Sequence, residues 1–150
     1  MKLLLDTHIW LWSLLDPSRL SRRVAAALVS RSHEKWLSPI SIWETLMLAD
    51  RGRLVLEPDP VAWVRRELER VPLRQAPVSH EVAIESRVIG LRHPDPADRF
   101  LAATARIYEL TLVTADRRLL RSTRFDTLAR PGASYRLASV SNRVDTLANR

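Results

Sequence analysis

The sequence predicts an α/β fold, a three-layer α/β/α domain with a short, mainly parallel central sheet. Two observations support this prediction. Short apolar runs alternate along the chain with segments of helical pattern. The first run, residues 3–5, consists of three leucines without polar alternation, which is typical of a strand buried on both faces. Periodicity alone leaves a buried helical segment open for so short a run.

Strands are predicted where apolar or β-branched residues form short runs. They are expected at residues 3–5, 36–38 and 110–114, with smaller extended pieces at residues 54–56 and before residue 78. The run 110–114 contains leucine, threonine and valine only, a composition that favours strands.

Helices in the first part of the chain are predicted from apolar faces bounded by prolines, serines and glycines. They are expected at residues 8–15, 22–32 and 42–51. The first stops before Asp16-Pro17, because proline disfavours helix for the residue that precedes it. The second follows Ser21 as its cap, and the third is followed by Gly52 as its C′ residue.

Helices in the second part are predicted from an aspartate cap followed by proline, or from a serine cap. They are expected at residues 60–70, 80–89 and 96–108, with a short helical turn at 118–122. Asp59-Pro60 and Asp95-Pro96 each place a favoured cap before a proline at the first helical position. Gly90 is expected to close the helix that precedes it.

Length and composition predict one soluble, intracellular domain. The chain has 150 residues with 46% hydrophobic residues, enough for one core. No apolar run approaches the ~20 residues that span a bilayer, and Asp6 interrupts the N-terminal run, so neither a membrane segment nor a signal peptide is expected. Cysteine is absent, which excludes disulfides and thiolate metal sites and suits a cytoplasmic location.

The chain is strongly basic, and its positive charge is almost entirely arginine. The formal net charge is +7, and lysine occurs only at Lys2 and Lys35. Arginine binds phosphates through two parallel hydrogen bonds and stacks on bases, so nucleic acid is one expected partner. Two alternatives stay open: an arginine-rich codon usage, or an acidic protein partner that neutralises the surface.

Four acidic residues stand at the start of a predicted helix or just after a predicted strand: Asp6, Glu44, Asp98 and Asp116. Asp6 and Asp116 follow strands that would be parallel, so neighbouring strands would place both at one edge of the sheet. Helix starts at that edge would add Glu44 and Asp98. A cluster of carboxylates without cysteine predicts a Mg²⁺ or Mn²⁺ site, with zinc disfavoured.

Each acid also has a purely structural interpretation. Asp6 suits the cap of the helix that follows it. Ser41 and Glu44 have the spacing of a capping box, in which the glutamate reaches back to the serine N–H. Asp95 and Asp98 have the same spacing, and Asp116 could lie in a solvated turn. Capping and metal binding are compatible, because both use the positive end of a helix.

These stretches together resemble the PIN domain, and more narrowly the VapC-type toxins of toxin–antitoxin pairs. The resemblance rests on four motifs that occur in order, and it covers roughly residues 2–129. The motifs are LLDTH with WLW at residues 4–12, SPISIWE at 38–44, DPADRFLAATA at 95–105 and LVTAD at 112–116. The expected domain is residues 1–130. Residues 131–150 match no family motif and are expected to be a mobile or loosely docked tail.

The resemblance implies a Mg²⁺-dependent endoribonuclease, a hydrolase, with Mn²⁺ as a substitute ion. It implies that the catalytic and metal-binding acids are Asp6, Glu44, Asp98 and Asp116, with direct metal contact expected at Asp6 and Asp98. Thr7 and Thr114 would support these acids through their hydroxyls. The implied partners are RNA, a cognate antitoxin and a second copy of the chain in a homodimer. Apolar residues in 10–15 and 46–54 predict a groove for an amphipathic peptide.

Several neighbouring side chains have two interpretations. His8, Trp10 and Trp43 adjoin the acidic motifs, but helical spacing favours packing or an interface for all three. Arg99 could hold a phosphate or pair with an acid. The arginines from residue 117 to residue 124 either face solvent or guide RNA past Asp116.

Three other functions compete with the nuclease. A PIN-like domain could bind RNA or protein without cleaving RNA. The presence of all four acids argues against loss of the catalytic residues, but it does not establish activity. A phosphorylated receiver domain would need a lysine after a late strand, and neither lysine lies there. A phosphatase of the haloacid dehalogenase type would need an aspartate two residues after Asp6, where His8 stands.

Overall fold

A four-stranded parallel sheet forms the centre of the molecule. The computed structural model describes residues 1–92 and 95–128. The strands are β1 (Lys2–Leu5), β2 (Glu34–Leu37), β3 (Arg74–Gln75) and β4 (Thr111–Val113). Their order across the sheet is β3-β2-β1-β4, and every neighbouring pair is parallel. The predicted parallel sheet is therefore confirmed, and β3 lies in the stretch before residue 78 that was expected to be extended.

The leucine run at the start of the chain is the buried middle of this sheet. Leu3 and Leu4 are both fully buried, which confirms a strand covered on both faces. Because successive side chains of a strand point to opposite faces, Leu3 and Leu5 belong to one apolar cluster and Leu4 to the other. Helices cover both clusters, so the three-layer α/β/α architecture is confirmed.

Seven α-helices surround the sheet within the described residues. They are α1 (Thr7–Leu15), α2 (Arg22–Val29), α3 (Pro39–Asp50), α4 (Pro60–Arg70), α5 (His80–Val88), α6 (Pro96–Ile107) and α7 (Arg117–Arg121). A short 3₁₀ turn, Pro17–Arg19, follows α1. The side chains that were predicted as caps of four helices accept the expected backbone hydrogen bonds: Ser21, Asp59, Ser79 and Asp95.

The predicted start of α3 is wrong. Its cap is Ser38, whose hydroxyl accepts the N–H of Ile40 at 3.1 Å, and Pro39 is the first helical residue. Ser41 and Glu44 therefore lie inside the helix, and the capping box that their spacing suggested does not exist. Ser38-Pro39 is the stronger helix start. The proline ring already holds φ near the helical value, and the N–H that proline lacks would have no partner within the helix at its first position.

Two smaller expectations also need correction. Helix α2 ends at Val29, with Ser30 as the cap that follows it, and does not continue to residue 32. Residues 54–56 form no strand, and Leu54 and Leu56 instead fill the core beside α4.

The first helix is held deep in the core by its aromatic residues. Trp10 and Trp12 are almost fully buried, and the Trp10 ring meets the Trp63 ring of α4 edge-on at 5.8 Å. This packing fixes the position of Asp6, which directly precedes the helix.

Among the described residues, no helix combines the length and the apolar character needed to cross a membrane. The predicted tail, residues 131–150, lies outside the described residues, so the domain boundary at residue 130 stays a prediction.

Candidate active site

The parallel pairing of β1 with β4 brings two of the predicted acids to the same edge of the sheet. Leu5 pairs with Val113, and the Asp6 N–H donates to the Val113 carbonyl at 3.0 Å. Asp6 and Asp116 therefore follow neighbouring strands at their carboxyl ends, where parallel sheets form ligand crevices.

Asp6 is held in place by a hydroxyl of the neighbouring strand. Its side chain is 3% exposed, and its Oδ2 accepts the Thr114 hydroxyl at 2.6 Å. It occupies the N-cap position of α1 but makes no side-chain capping hydrogen bond, so capping does not explain it. Burial raises the pKa of Asp6, and the nearby His8 and the Thr114 hydrogen bond oppose that shift.

Glu44 reaches the same edge from the second turn of α3. Thr7, the first residue of α1, is hydrogen-bonded through its hydroxyl to Glu44 Oε1 at 2.6 Å and to Ser41 Oγ at 2.9 Å. Burial raises the pKa of Glu44 to about 7, and the negative charges of Asp6 and Asp95 add to that rise. Thr7 thus connects the start of α1 to the acid on α3.

The charges of the other acids converge on Asp98, in the first turn of α6. Burial is the main cause that raises the pKa of Asp98 to about 9. Four further acids raise it by like-charge repulsion: Asp6, Asp95, Glu44 and Asp116. Asp95 itself caps α6, with its Oδ1 accepting the Ala97 N–H at 2.9 Å, as predicted.

Asp116 combines a capping role with membership of this cluster. Its Oδ1 accepts the Arg118 N–H at 2.7 Å at the start of α7, and its own N–H donates to the Thr114 hydroxyl at 3.0 Å. Thr114 therefore contacts both acids that follow the two strands. The structure brings all four predicted acids to one region, which we call the acid cluster: Asp6, Glu44, Asp98 and Asp116.

The acid cluster suits an ion that is held by few protein ligands. No three acidic or histidine side chains of the described residues form a ready-made metal cage. Mg²⁺ does not require one, because it usually keeps several waters and binds through one or two carboxylates together with substrate phosphates. The donors offered here are carboxylates. Burial and, after it, repulsion by the other acids raise the pKa of Asp98, and a cation would relieve that repulsion. The residues therefore fit Mg²⁺ or Mn²⁺.

An open cleft of about 560 Å³ lies beside the acid cluster. Its walls come from α3, α6 and α7, and include Glu44, Arg51, Asp95 and Arg118. The cleft places arginines next to acids. A nucleic-acid backbone that passes a metal site would need this arrangement, because the arginines can bind its phosphates.

A second, mostly apolar cleft of about 580 Å³ lies between β2, α3 and α4. We call it the apolar cleft, and its hydrophobic lining is Leu37, Pro39, Ile42, Trp43, Leu46, Leu68 and Leu73. In the other region predicted to offer a groove, residues 10–15, Trp10 and Trp12 are buried and Leu15 is 41% exposed, and these residues line neither cleft. Leu46 from the second predicted region does line the cleft.

The aromatic residues next to the acidic motifs lie in different environments. Trp10 is a core residue as predicted, whereas Trp43 is 57% exposed and lines both clefts. His8 packs against Trp12 at 5.9 Å between ring centroids, and its buried Nε2 has no hydrogen-bond partner among the described residues.

Arg99 forms no ion pair with an acid among the described residues. Its guanidinium donates to the carbonyls of Ser86 at 2.9 Å, Arg87 at 3.4 Å and Leu91. These are carbonyls at and just beyond the end of α5, so Arg99 joins α6 to that helix end.

Sequence reasoning missed the role of Ser41, which was assigned to a cap and instead contacts Thr7. The available signal was its spacing of three residues from Glu44, because residues three apart lie on the same helix face.

Comparison with known proteins agrees with this fold. The family model for the PIN domain matches residues 3–125, which include all four acids. The chain is 34% identical over 117 residues to Ribonuclease VapC22 of Mycobacterium tuberculosis (strain ATCC 25618 / H37Rv), covering 77% of this chain and 88% of that protein.

Two solved structures are similar in fold. A chain of DNA-bound VapBC from Salmonella typhimurium is 19% identical with a TM-score of 0.64, covering 85% of this chain and 96% of that chain. A chain of a toxin–antitoxin complex from Klebsiella pneumoniae is 19% identical with a TM-score of 0.54, covering 82% of this chain and 98% of that chain. From the family match and the 34% identical relative, the chain belongs to the PIN domain family.

Proposed function

We propose that this PIN domain protein is a Mg²⁺-dependent endoribonuclease and the toxin of a toxin–antitoxin pair. The observation that supports this most strongly is the geometry of the acid cluster. Thr114 joins Asp6 to Asp116, and Thr7 joins Glu44 to the start of α1. Burial and the charges of these acids raise the pKa of Asp98. The relative that is 34% identical is a ribonuclease by name, and it supports RNA as the substrate.

Asp6 and Asp98 would hold the ion, and Glu44 and Asp116 would complete the negative surroundings. When bound, Mg²⁺ or Mn²⁺ would supply a water nucleophile at neutral pH and offset charge on the phosphate and the leaving oxygen. No cysteine is present to act as a nucleophile, and the proposed products carry a 5′-phosphate and a 3′-hydroxyl.

The threonines would hold the acids in their working geometry. The Thr114 hydroxyl donates to Asp6 and accepts from the Asp116 N–H, so it sets the spacing between the two strand ends. Thr7 fixes one oxygen of Glu44. Partners of this kind orient metal-binding carboxylates and typically matter about 10- to 100-fold for metal affinity or activity.

A cognate antitoxin would dock in the apolar cleft. An amphipathic helix fits a groove of this composition, and exposed Trp43 extends the groove to the acid cluster. A basic antitoxin side chain that reached Glu44 would compete with the cation for the acids. The solved toxin–antitoxin complex of similar fold supports such a partner, and a homodimer is part of the same proposal.

The proposal is tested by incubating purified protein with a mixed RNA pool, with Mg²⁺ or with EDTA. The Asp98→Asn variant should lose cleavage, and the matched Asp50→Asn variant should keep it, because Asp50 is exposed at the end of α3. Analysis of the product ends should find 5′-phosphates. A 2′,3′-cyclic phosphate would contradict the hydrolytic reaction, and RNA binding without any cleavage would favour a PIN-like binding module.

A further inference from the structure

A third cleft, of about 360 Å³, lies where the end of α5 meets α7. We call it the arginine pocket, and its polar lining includes Arg92, Arg118, Arg121, Ser122 and Arg124. Four guanidinium groups thus line one small cleft. No carboxylate is among its lining residues.

The arginines of this pocket are available for a ligand. Within the described part of the chain, Arg92, Arg121 and Arg124 form no ion pair with a carboxylate. Arg118 lies 3.9 Å from Asp116 and remains 58% exposed. Three arginines without a carboxylate partner, beside a fourth that is paired at 3.9 Å, create a positive potential that attracts an anion. Guanidinium groups match phosphate geometry especially well.

The backbone around the pocket is held in a fixed shape. Arg99 donates to the carbonyl of Leu91 and to carbonyls at the end of α5, so α6 anchors the loop that forms one wall. Gly90 has a φ of +68°, and a side chain there would meet the Arg124 guanidinium at 3.5 Å. Glycine therefore supplies the turn, whereas a Cβ at 3.5 Å would make only an ordinary van der Waals contact with that guanidinium.

The arginine pocket adjoins the cleft beside the acid cluster. Arg118 lines both this pocket and the cleft beside the acid cluster. A strand whose scissile phosphate lay at the acids would pass Arg118 and present a further phosphate to Arg121 and Arg124. These two residues frame Ser122, whose hydroxyl accepts the Arg124 N–H at 3.2 Å.

We infer that the arginine pocket is a phosphate-binding subsite for the RNA backbone, separate from the acids, which holds the substrate strand one or more nucleotides from the cleaved bond. This inference rests on the proposed ribonuclease function and adds a site to it. The pocket contacts phosphate and so contributes affinity and register, whereas it carries no base-specific information.

The test measures binding of a short, fluorescein-labelled single-stranded RNA by anisotropy in EDTA, across a series of potassium chloride concentrations. The double variant Arg121→Gln with Arg124→Gln should lose about 10-fold in affinity, and the salt slope should fall by about 0.7 for each phosphate that the variant no longer binds. The control is Arg22→Gln with Arg65→Gln. It removes the same charge from exposed helix positions that line none of the three clefts described above.

The control should lose less than about 2-fold, because only diffuse charge is removed. Equal losses in both double variants would overturn the inference in favour of a general charge effect, and so would no loss in either. The variant Arg121→Lys with Arg124→Lys should recover only part of the affinity, since lysine lacks the two-pronged geometry.

Cleavage with Mg²⁺ separates this inference from the proposed function. The pocket variant should raise KM about 10-fold and leave kcat close to that of the unmodified protein, because Arg121 and Arg124 do not line the cleft beside the acid cluster. Cleavage with an unchanged KM would overturn the subsite alone. If the unmodified protein bound RNA through the pocket but never cleaved it, the proposed nuclease function would be contradicted. The inference of a phosphate-binding subsite would still hold.

Discussion

The acid cluster and the arginine pocket both gather like charges, but they do so in opposite environments. The acids lie at the buried end of a parallel sheet, where two threonine hydroxyls fix Asp6 and Glu44, and burial raises the pKa of Asp98 to about 9. The arginines lie on an open surface, where Arg118 keeps more than half of its side chain exposed. Burial makes like charge costly until a counter-ion arrives, whereas water screens the same charges at the surface.

This difference predicts how each region responds to substitution. Removal of a charge from the acid cluster should change catalysis and stability in opposite directions. Removal of a charge from the arginine pocket should change only RNA affinity.

The largest effect is expected for catalysis at Asp98. Asp98→Asn keeps the size of the side chain and removes the negative oxygen, so the rate of RNA cleavage should fall by at least ~100-fold. The measurement is the initial rate at saturating Mg²⁺, with Asp50→Asn as the control and circular dichroism as the check of folding. A rate within a few fold of the unmodified protein would remove Asp98 from the site.

The next effect concerns the hydroxyl that supports Asp6. Thr114→Val keeps the shape of the side chain and loses the 2.6 Å hydrogen bond, so cleavage should fall about 10-fold. The fall should be smaller at high Mg²⁺, because the acid would be less well oriented but still present. Thr114→Ser restores the hydroxyl and should recover most of the rate. A serine variant as slow as the valine variant would show that the methyl group matters and the hydroxyl does not.

A third effect is on the pH dependence of stability without metal. The folded protein keeps the proton on Asp98 to about pH 9, whereas an unfolded chain releases it near pH 3.8. Glu44 likewise keeps its proton to about pH 7 in the folded protein, whereas an unfolded chain releases it near pH 4.5. In that window the folded state binds more protons, so the free energy of unfolding should fall as pH rises.

Thermal unfolding in EDTA at several pH values measures this dependence. Asp98→Asn should flatten it and should raise the Tm at pH 8 by a few degrees, about 1–2 kcal/mol. Added Mg²⁺ should stabilise the unmodified protein more at pH 8 than at pH 5, since ion binding displaces the protons. Stability that rises with pH in EDTA would contradict the buried, mutually repelling acids.

The smallest effect is expected for stability at the arginine pocket. Arg121→Gln should shift the Tm by no more than about 1–2 °C, because exposed side chains without partners contribute little to folding. The comparison with Asp98→Asn in the same buffer separates the two regions. A large loss of stability for Arg121→Gln would mean that the arginine packs as a structural residue.

The positions of the acids could be predicted from local patterns in the sequence, whereas the support of the acids by Thr7 and Thr114 was expected only from the family resemblance. Three leucines followed by Asp6 are enough to predict a buried strand that ends at a carboxylate. The hydrogen bond from Thr114 to Asp6 joins residues 108 positions apart, and it depends on β4 lying beside β1. The strand order depends on how the helices pack on both faces of the sheet. Local sequence patterns do not predict that packing.

Local patterns misled where two signals competed. Ser41 and Glu44 have capping-box spacing, but Ser38-Pro39 starts the helix three residues earlier and leaves Ser41 free to contact Thr7. The spacing of Trp43 suited either packing or an interface, and its exposure between two clefts excludes only a core position. Arg99 follows a catalytic candidate directly, yet it points to the end of α5, because side chains of adjacent helical residues project about 100° apart.

The most direct test of the metal site is Mn²⁺ binding followed by electron paramagnetic resonance, with unmodified protein, Asp98→Asn and Asp50→Asn compared at pH 7.5. If the acids form one cation site, the unmodified protein and Asp50→Asn should bind Mn²⁺ alike, and Asp98→Asn should bind it at least ~10-fold more weakly. Mg²⁺ should displace the Mn²⁺. Equal binding by all three proteins, or no binding by any, would contradict a metal site built from Asp6, Glu44, Asp98 and Asp116.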